Sequence, residues 1–258
     1  MYKILFFVFL SNLAFGQNRM FQSQNGNVKA AATSTTSSPV ITNGLVLNLD
    51  AGNSASYSGT GTTWTDLSGS ANNGTLINSP TYNSSNGGYF NFNSSTQYVT
   101  LTPTKLPTGT SDRTVIAFVK TPTSFNEFLL HIIHWGTSST NEAFGLAILQ
   151  GGGGLNTHPW GSFDVQGTVQ PNTNYCLAAT YINSTTKHNT WINGVSQGAG
   201  ISRAINTGTA DARIGHRVSG AEVWGPNGQI YQILVYNRAL SDAEILQIFN
   251  AQKGRYGL

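Results

Sequence analysis

Two histidines three residues apart offer the first candidate chemistry: His131 and His134 form an H-x-x-H inside Phe128–Trp135. On a helix that spacing could gather two imidazoles around a metal. The surrounding Phe-Leu-Leu-His-Ile-Ile-His-Trp reads as a strand, however, where residues three apart face opposite sides. No Glu or third ligand accompanies the pair in the way zinc sites require. His158, His188 and His216 are isolated in sequence, so the reading assigns no metal ligands.

The carboxylates are equally sparse. Among the ten Asp and Glu residues, only Asp242 and Glu244 stand two apart. On a strand such a pair would share a face and could act as acid and nucleophile across one bond. On a helix the two lie about 200° apart, from ~3.6 residues per turn. Ser241 followed three residues later by Glu244 is a capping box, and capping accounts for both acids. Gly151–Gly154 lacks the following helix that a phosphate cradle needs and reads as a flexible hairpin loop. There is no G-x-S-x-G elbow and no grouping of Ser, His and acid, so no catalytic residue is assigned.

Asp50 and Asp66 lie in turn-rich stretches, with Asn72 and Asn73 nearby. Calcium favours such loop oxygens. Their spacing matches no calcium loop, and hydrogen bonding of each aspartate to its own turn backbone is the preferred reading. No cofactor is expected, with calcium the one ion left open.

The aromatic residues are the better-placed candidates. Trp135, Trp160 and Trp224 each stand beside Gly or Pro near an expected strand end, close in sequence to His134, His158, Asp164 and Arg217. A ring stacks on the apolar C–H face of a sugar while such polar neighbours satisfy its hydroxyls, so these seven residues form a candidate ligand-binding rim. The competing reading for each tryptophan is core or loop-anchoring duty, because Trp is mostly buried. Trp64 and Trp191 read as packing residues.

The elements that must position this rim are strands. Segments rich in β-branched and aromatic residues recur between Gly, Asn and Pro: Leu45–Leu49, Tyr89–Phe92, Gln97–Leu101, Thr114–Lys120, Phe128–Trp135, Ala143–Leu149, Tyr175–Ile182, Thr190–Ile192, Ala212–Ile214 and Gln229–Tyr236. Many short strands with Gly-rich turns point to a sandwich or jelly roll. Asn193-Gly194 signals a type I′ hairpin. Gln229–Tyr236 is apolar at both parities, as a central strand covered on both faces must be. One short helix follows. Ser241 caps it, Leu240 and Ile245 are placed as a hydrophobic staple, Ile245, Leu246, Ile248 and Phe249 form its apolar face, and Lys253 with Gly254 is expected to end it.

Composition narrows the class. With 39% hydrophobic and 9% charged residues, and Gly at 29 positions, the chain has the make-up of a β-rich exported protein. Lys3, the apolar run from Ile4 to Leu13 and Ala14-Phe15-Gly16 read as a signal peptide over residues 1–16. Residues 17–39 read as a flexible spacer and residues 40–258 as one domain. The expected compartment is therefore extracellular, and no stretch is long enough to span a bilayer. The formal net charge is +3 without a basic cluster, which gives no footprint for nucleic acid or an anionic membrane. Cys176 is the single cysteine and reads as a small buried hydrophobe.

Three blocks carry a resemblance: GLVLNLDAGNSASYSGTGTTWTDLSGSANNGTL at Gly44–Leu76, YINSTTKHNTWINGV at Tyr181–Val195 and GQIYQILVYNRALSDAEI at Gly228–Ile245. In these the chain resembles the laminin-G-like, concanavalin A-like lectin/glucanase domains. The resemblance implies an all-β, two-sheet antiparallel jelly-roll sandwich with one short C-terminal helix. It also implies binding of a glycan or other cell-surface ligand, and the fold alone implies no catalysis. The E-x-D-x-x-E pattern of the superfamily's glucanases is absent. Many relatives carry an acidic pair just after the Gly-x-Ile of the last strand, where this chain has Tyr231 and Gln232, so a structural calcium held the family's usual way is not expected. The expected function is a secreted non-catalytic binding module. The alternatives are a structural or adhesive surface protein and, behind it, a glycoside hydrolase or lyase. The sequence leaves the oligomeric state open.

Overall fold

The computed structural model describes residues 40–94, 96–126, 128–151, 153–219, 224 and 227–258. The expected signal peptide and spacer lie outside the described residues. In chain order the first strands are β1 (Leu45–Asp50), β2 (Thr63–Trp64), β3 (Gly74–Ile77), β4 (Thr81–Asn83), β5 (Tyr89–Asn91), β6 (Tyr98–Thr100), β7 (Arg113–Lys120) and β8 (Leu129–Gly136). They are followed by β9 (Ala143–Leu149), β10 (Gly154–Thr157), β11 (Asp164–Thr168), β12 (Asn174–Ile182), β13 (Lys187–Ile192), β14 (Val195–Ser196), β15 (Ile201–Ser202), β16 (Asp211–Ile214), β17 (Gln229–Tyr236) and helix α1 (Asp242–Gln252).

The strands form two antiparallel sheets. One runs β14-β13-β12-β7-β17-β5-β4, with β1 also paired to β17 and β15 to β13; the other runs β11-β10-β9-β8-β16-β6-β3-β2. Between them lies the main core. It takes Leu47, Phe90, Val115, Ala117, Val119 and Ile233 from the first sheet and Trp64, Ile133, Trp135, Phe144 and Leu146 from the second.

β17 is buried along nearly its whole length, as its two-sided apolar pattern requires. Ile230, Ile233 and Val235 enter the main core. Tyr231, Leu234 and Tyr236 enter a second cluster, which packs the outside of that sheet against Leu240, Ile245 and Ile248 around the helix. Ser241 and Glu244 form the capping box. The helix ends differently from expectation: it runs on into a 3-10 turn at Lys253–Arg255, and the left-handed residue is Gly257 (φ 68°), three positions beyond Gly254. Asn193 (φ 51°) and Gly194 (φ 78°) make the anticipated hairpin turn. Leu246 is exposed on the helix surface, and a Cβ at Gly194 would come within 2.9 Å of it, so the turn lies directly beneath the helix.

The strands β2, β3, β4, β10, β11 and β15 were not among those expected, while β14 is the return strand of the anticipated Asn193-Gly194 hairpin. β10 and β11 matter most here, because they extend the second sheet beside β9 and bracket the loop that carries His158, Trp160 and Phe163.

Candidate functional site

The site is built on the face of the second sheet that points away from the main core, and a β-bulge creates it. Across β8 and β9, His131 pairs with Ala147 and Ile133 with Leu146, so Ile132 is an extra residue on β8. Ile132 and Ile133 both enter the core, alongside Leu130 and Trp135. The alternation therefore slips by one, and His131 and His134 emerge on the same side with ring centroids 5.0 Å apart. This corrects the expectation that residues three apart on this strand face opposite ways. The phase slip has a trace in the sequence: two polar residues bracket an Ile-Ile doublet and a buried Trp follows. Small residues opposite make room. Gly145 faces His134 and Ala147 faces His131.

His158 completes the group. It follows β10, its backbone N–H donates to the Gly145 carbonyl (3.2 Å), and its ring stacks on His134 with centroids 4.9 Å apart. The Val218 N–H donates to His134 Nδ1 (3.3 Å), so Nε2 carries the proton and donates to the His158 carbonyl (3.1 Å). His131 Nε2 and His158 Nδ1 lie 3.1 Å apart with one hydrogen between them. His131 Nδ1 is buried without a hydrogen-bond partner. The Leu129 carbonyl is near enough to favour protonation of this ring slightly but lies outside hydrogen-bonding geometry.

Burial is the main reason all three imidazoles resist protonation. Loss of solvation holds His131 and His134 well below the usual histidine range, and the neighbouring rings and Arg217 push the same way. Desolvation, followed by Arg217, lowers His158 to about 4. The cluster is a set of neutral imidazoles at neutral pH.

Aromatic rings frame it. Trp160 is half-buried, with its ring 6.1 Å from His134 and 6.0 Å from His158, and the Arg217 guanidinium lies over it at 4.6 Å. Its backbone is left-handed (φ 68°), a conformation that costs a bulky residue about 1–2 kcal/mol and that persists where the surroundings hold it. Phe163 lies nearly parallel to His158 (6° between planes, 5.7 Å) and meets Phe128 edge to face at 5.3 Å. Phe163 and Phe128 remain 43% and 50% exposed. On the same face, Arg213 pairs across the strands with His134 and lies over the Tyr98 ring at 4.7 Å.

Four of the seven residues expected at the rim thus converge: His134, His158, Trp160 and Arg217. Trp135 does not, because β8 turns it into the core, where it packs edge to face on Phe144 and its Nε1 donates to the Pro107 carbonyl. Trp224 is also fully buried in the core. Asp164 points inward from β11 and is bound to Arg203 (3.1 Å), with His188 Nδ1 at 3.9 Å. The sequence weighs His131 as a metal ligand and sets it aside, although the phase slip was its signal, and it offers nothing for Phe128 and Phe163 beyond their being apolar residues at loop edges.

The calcium candidates are otherwise engaged. Asp66 accepts from the backbone N–H groups of Asn48, Ser68 and Asn72 and from the Ser68 hydroxyl, as the turn reading has it. Asp50 accepts from the Gly52 N–H and pairs with Arg255 Nη1 at 2.6 Å. Gln232, at a position where the resemblance implies an acid, is also engaged. Its amide donates to Asn48 Oδ1 and accepts from the Tyr256 hydroxyl. Cys176 is buried, which pushes its thiol pKa up.

Residues 92–246, more than half of the chain, match the Laminin_G_3 family, described as the concanavalin A-like lectin/glucanases superfamily. No curated protein matches. Among solved structures, the sialidase of Trypanosoma rangeli in complex with sialic acid superposes with a TM-score of 0.59 at 17% identity, over 82% of this chain and 33% of that one. The chain thus spans a third of that enzyme's length. The binding domain of Paraclostridial Mosquitocidal Protein 1 gives 0.60 at 15% identity, covering 81% and 52% of the two chains. Domain 4 of AbnA, a GH43 extracellular arabinanase from Geobacillus stearothermophilus, in complex with arabinotriose, gives 0.57 at 15% identity, covering 79% and 97%. Identities this low speak for the fold. Because the family match covers more than half of the chain, a span that includes the histidines, Trp160 and Arg217, the chain belongs to the concanavalin A-like lectin/glucanases superfamily.

Proposed function

We propose that the protein is an exported, non-catalytic module that binds carbohydrate on the outer face of its second sheet. The observation that carries this is the exposed pair Phe163 and Phe128, one ring held flat against His158 and the other set edge-on to it, beside half-buried Trp160 and Arg217. A flat, partly exposed ring with a guanidinium nearby suits a sugar: the ring takes the C–H face and the cation takes hydroxyl or carboxyl oxygens. The likeness to an arabinanase domain in complex with arabinotriose supports the ligand class. Binding is favoured over hydrolysis because no paired carboxylates stand at this face among the described residues. Asp164 is turned inward and Asp211 is held by Arg213 at 2.7 Å.

A glycan array with affinity electrophoresis on polysaccharides, with and without calcium, tests the proposal. Wild type should be retarded by at least one glycan class, and Phe163→Ala and Trp160→Ala should each abolish the retardation. Binding of no glycan, or binding unchanged in both variants, overturns it. Turnover of a β-glucan, alginate or carrageenan that one carboxylate or histidine substitution abolishes would instead make the protein an enzyme.

A second reading, adhesion through protein contacts, draws on Val165. This residue lies on the edge strand β11 and is 38% exposed, close in the chain to Phe163. An exposed apolar edge favours protein partners. Light scattering separates the two, since a strict monomer with clear sugar affinity excludes the adhesive version.

A further inference from the structure

We propose that His131, His134 and His158 form a binding site for one divalent transition-metal ion of the zinc, nickel or copper class. One ring nitrogen from each residue lies within 4.8 Å of the other two, and all three side chains are buried. The donor set is entirely imidazole nitrogen, which suits these borderline ions and rejects calcium and magnesium.

Two of the ligands are already close to their places. Zinc–nitrogen bonds of about 2.0–2.1 Å put two nitrogens on a tetrahedral ion roughly 3.3 Å apart. His131 Nε2 and His158 Nδ1 are 3.1 Å apart. Without an ion, this contact has one hydrogen to share and leaves His131 Nδ1 buried and unpartnered. With an ion, His131 carries its proton on Nδ1 and offers Nε2, the nitrogen that faces His158, to the metal.

His134 is the ligand that must adjust. Its Nε2–H now donates to the His158 carbonyl and its Nδ1 accepts from the Val218 N–H. To ligate, it gives up one of these bonds and closes on the other two rings by a shift of the bulged strand or a turn of the ring. Arg217 opposes the ion by its charge, and the stacked Trp160 covers the cluster, so uptake should be slow. Three protein ligands leave a fourth position for water or an incoming oxygen donor.

The test uses the untagged full chain, stripped with a chelator and then titrated with Co²⁺, Ni²⁺, Zn²⁺ and, as controls, Ca²⁺ and Mg²⁺. The expected result is uptake of one transition-metal ion per chain, the visible absorption of tetrahedral Co²⁺, and no uptake of the controls. His158→Gln and His131→Gln should each lower affinity at least a hundredfold, above the roughly 10–100-fold caused by losing an outer-shell partner. Should these variants not fold, nitrogen-detected NMR of the wild-type imidazoles decides. Zn²⁺ should move three ring systems together, and it overturns the proposal if only His188 and His216 respond. Absence of saturable uptake by folded wild type, or uptake undiminished in both folded variants, also overturns it. The sugar reading stands or falls separately, because retardation by glycan in chelator-treated protein does not depend on the ion.

Discussion

Gly145 faces His134 across β8 and β9, and a Cβ at position 145 would lie 2.6 Å from both His134 Cδ2 and the Ile133 carbonyl oxygen. The missing side chain makes the space in which the histidine cluster packs. Retreat is costly for both neighbours, because Ile133 is in the core and His134 would have to give up a hydrogen bond. Gly145→Ala should therefore destabilise the fold by about 1–3 kcal/mol, as overpacking does. Urea denaturation should show a lower midpoint at an unchanged slope, and the His134 ring resonances should move.

Asp164 separates the two ways of using a carboxylate here. Its side chain is 1% exposed and is held by Arg203, which is 30% exposed. Removing the partner leaves a buried charge, and Arg203→Ala should cost about 2–4 kcal/mol, somewhat less than for a fully buried pair because water reaches the guanidinium side. Glycan retardation of the folded variant should match wild type. Loss of binding without loss of stability would return Asp164 to the rim.

The tryptophans should divide in the same way. Trp135 and Trp224 are fully buried, and either one changed to Ala should cost about 3–5 kcal/mol of stability. Trp160→Ala removes a half-buried ring and should abolish glycan retardation, a loss of about tenfold or more in affinity, while costing less stability than the core variants. Thermal melts paired with affinity electrophoresis give both readouts from one preparation.

The sandwich was legible because its signals are local. The β-branched and aromatic run of β7, the two-sided apolar pattern of β17, Asn193-Gly194 and the Ser241–Glu244 box each report on a few adjacent residues. The site was only half legible, because it depends on register between strands. Whether Trp135 or His134 faces the core is set by the bulge at Ile132, a property of how β8 pairs with β9. β10 and β11 carry Asn156, Asp164 and Gln166, buried polar residues that mask a strand pattern and whose partners lie on other elements: Gln166 donates to the His188 carbonyl and Asp164 pairs with Arg203. Residue type alone placed His158 and Trp160 at the rim and also sent Asp164 and Trp224 there.

Glu244 gives the protein a defined acid sensitivity. Its carboxylate accepts from Arg238 Nη2 (2.7 Å) and Nη1 (3.0 Å) and from the Ser241 backbone N–H (2.9 Å). The Arg238 hydrogen bonds, followed by the Ser241 N–H, lower its pKa to about 2. An unfolded-state glutamate titrates near 4.3, so the folded state binds the proton less tightly than the unfolded state. The contribution of this carboxylate is therefore fully present above about pH 4.3 and is lost as pH falls towards about 2. Because the carboxylate is 29% exposed, water screens the pair, and the contribution should be ~0.5–1 kcal/mol. Glu244→Gln should be less stable than wild type near neutral pH, and the difference should close as pH falls below about 4.3. Parallel denaturant titrations at a series of pH values measure it. A difference that stays constant down to the lowest pH would mean that the helix cap works through packing and uncharged hydrogen bonds, with no part played by the Arg238–Glu244 charge pair.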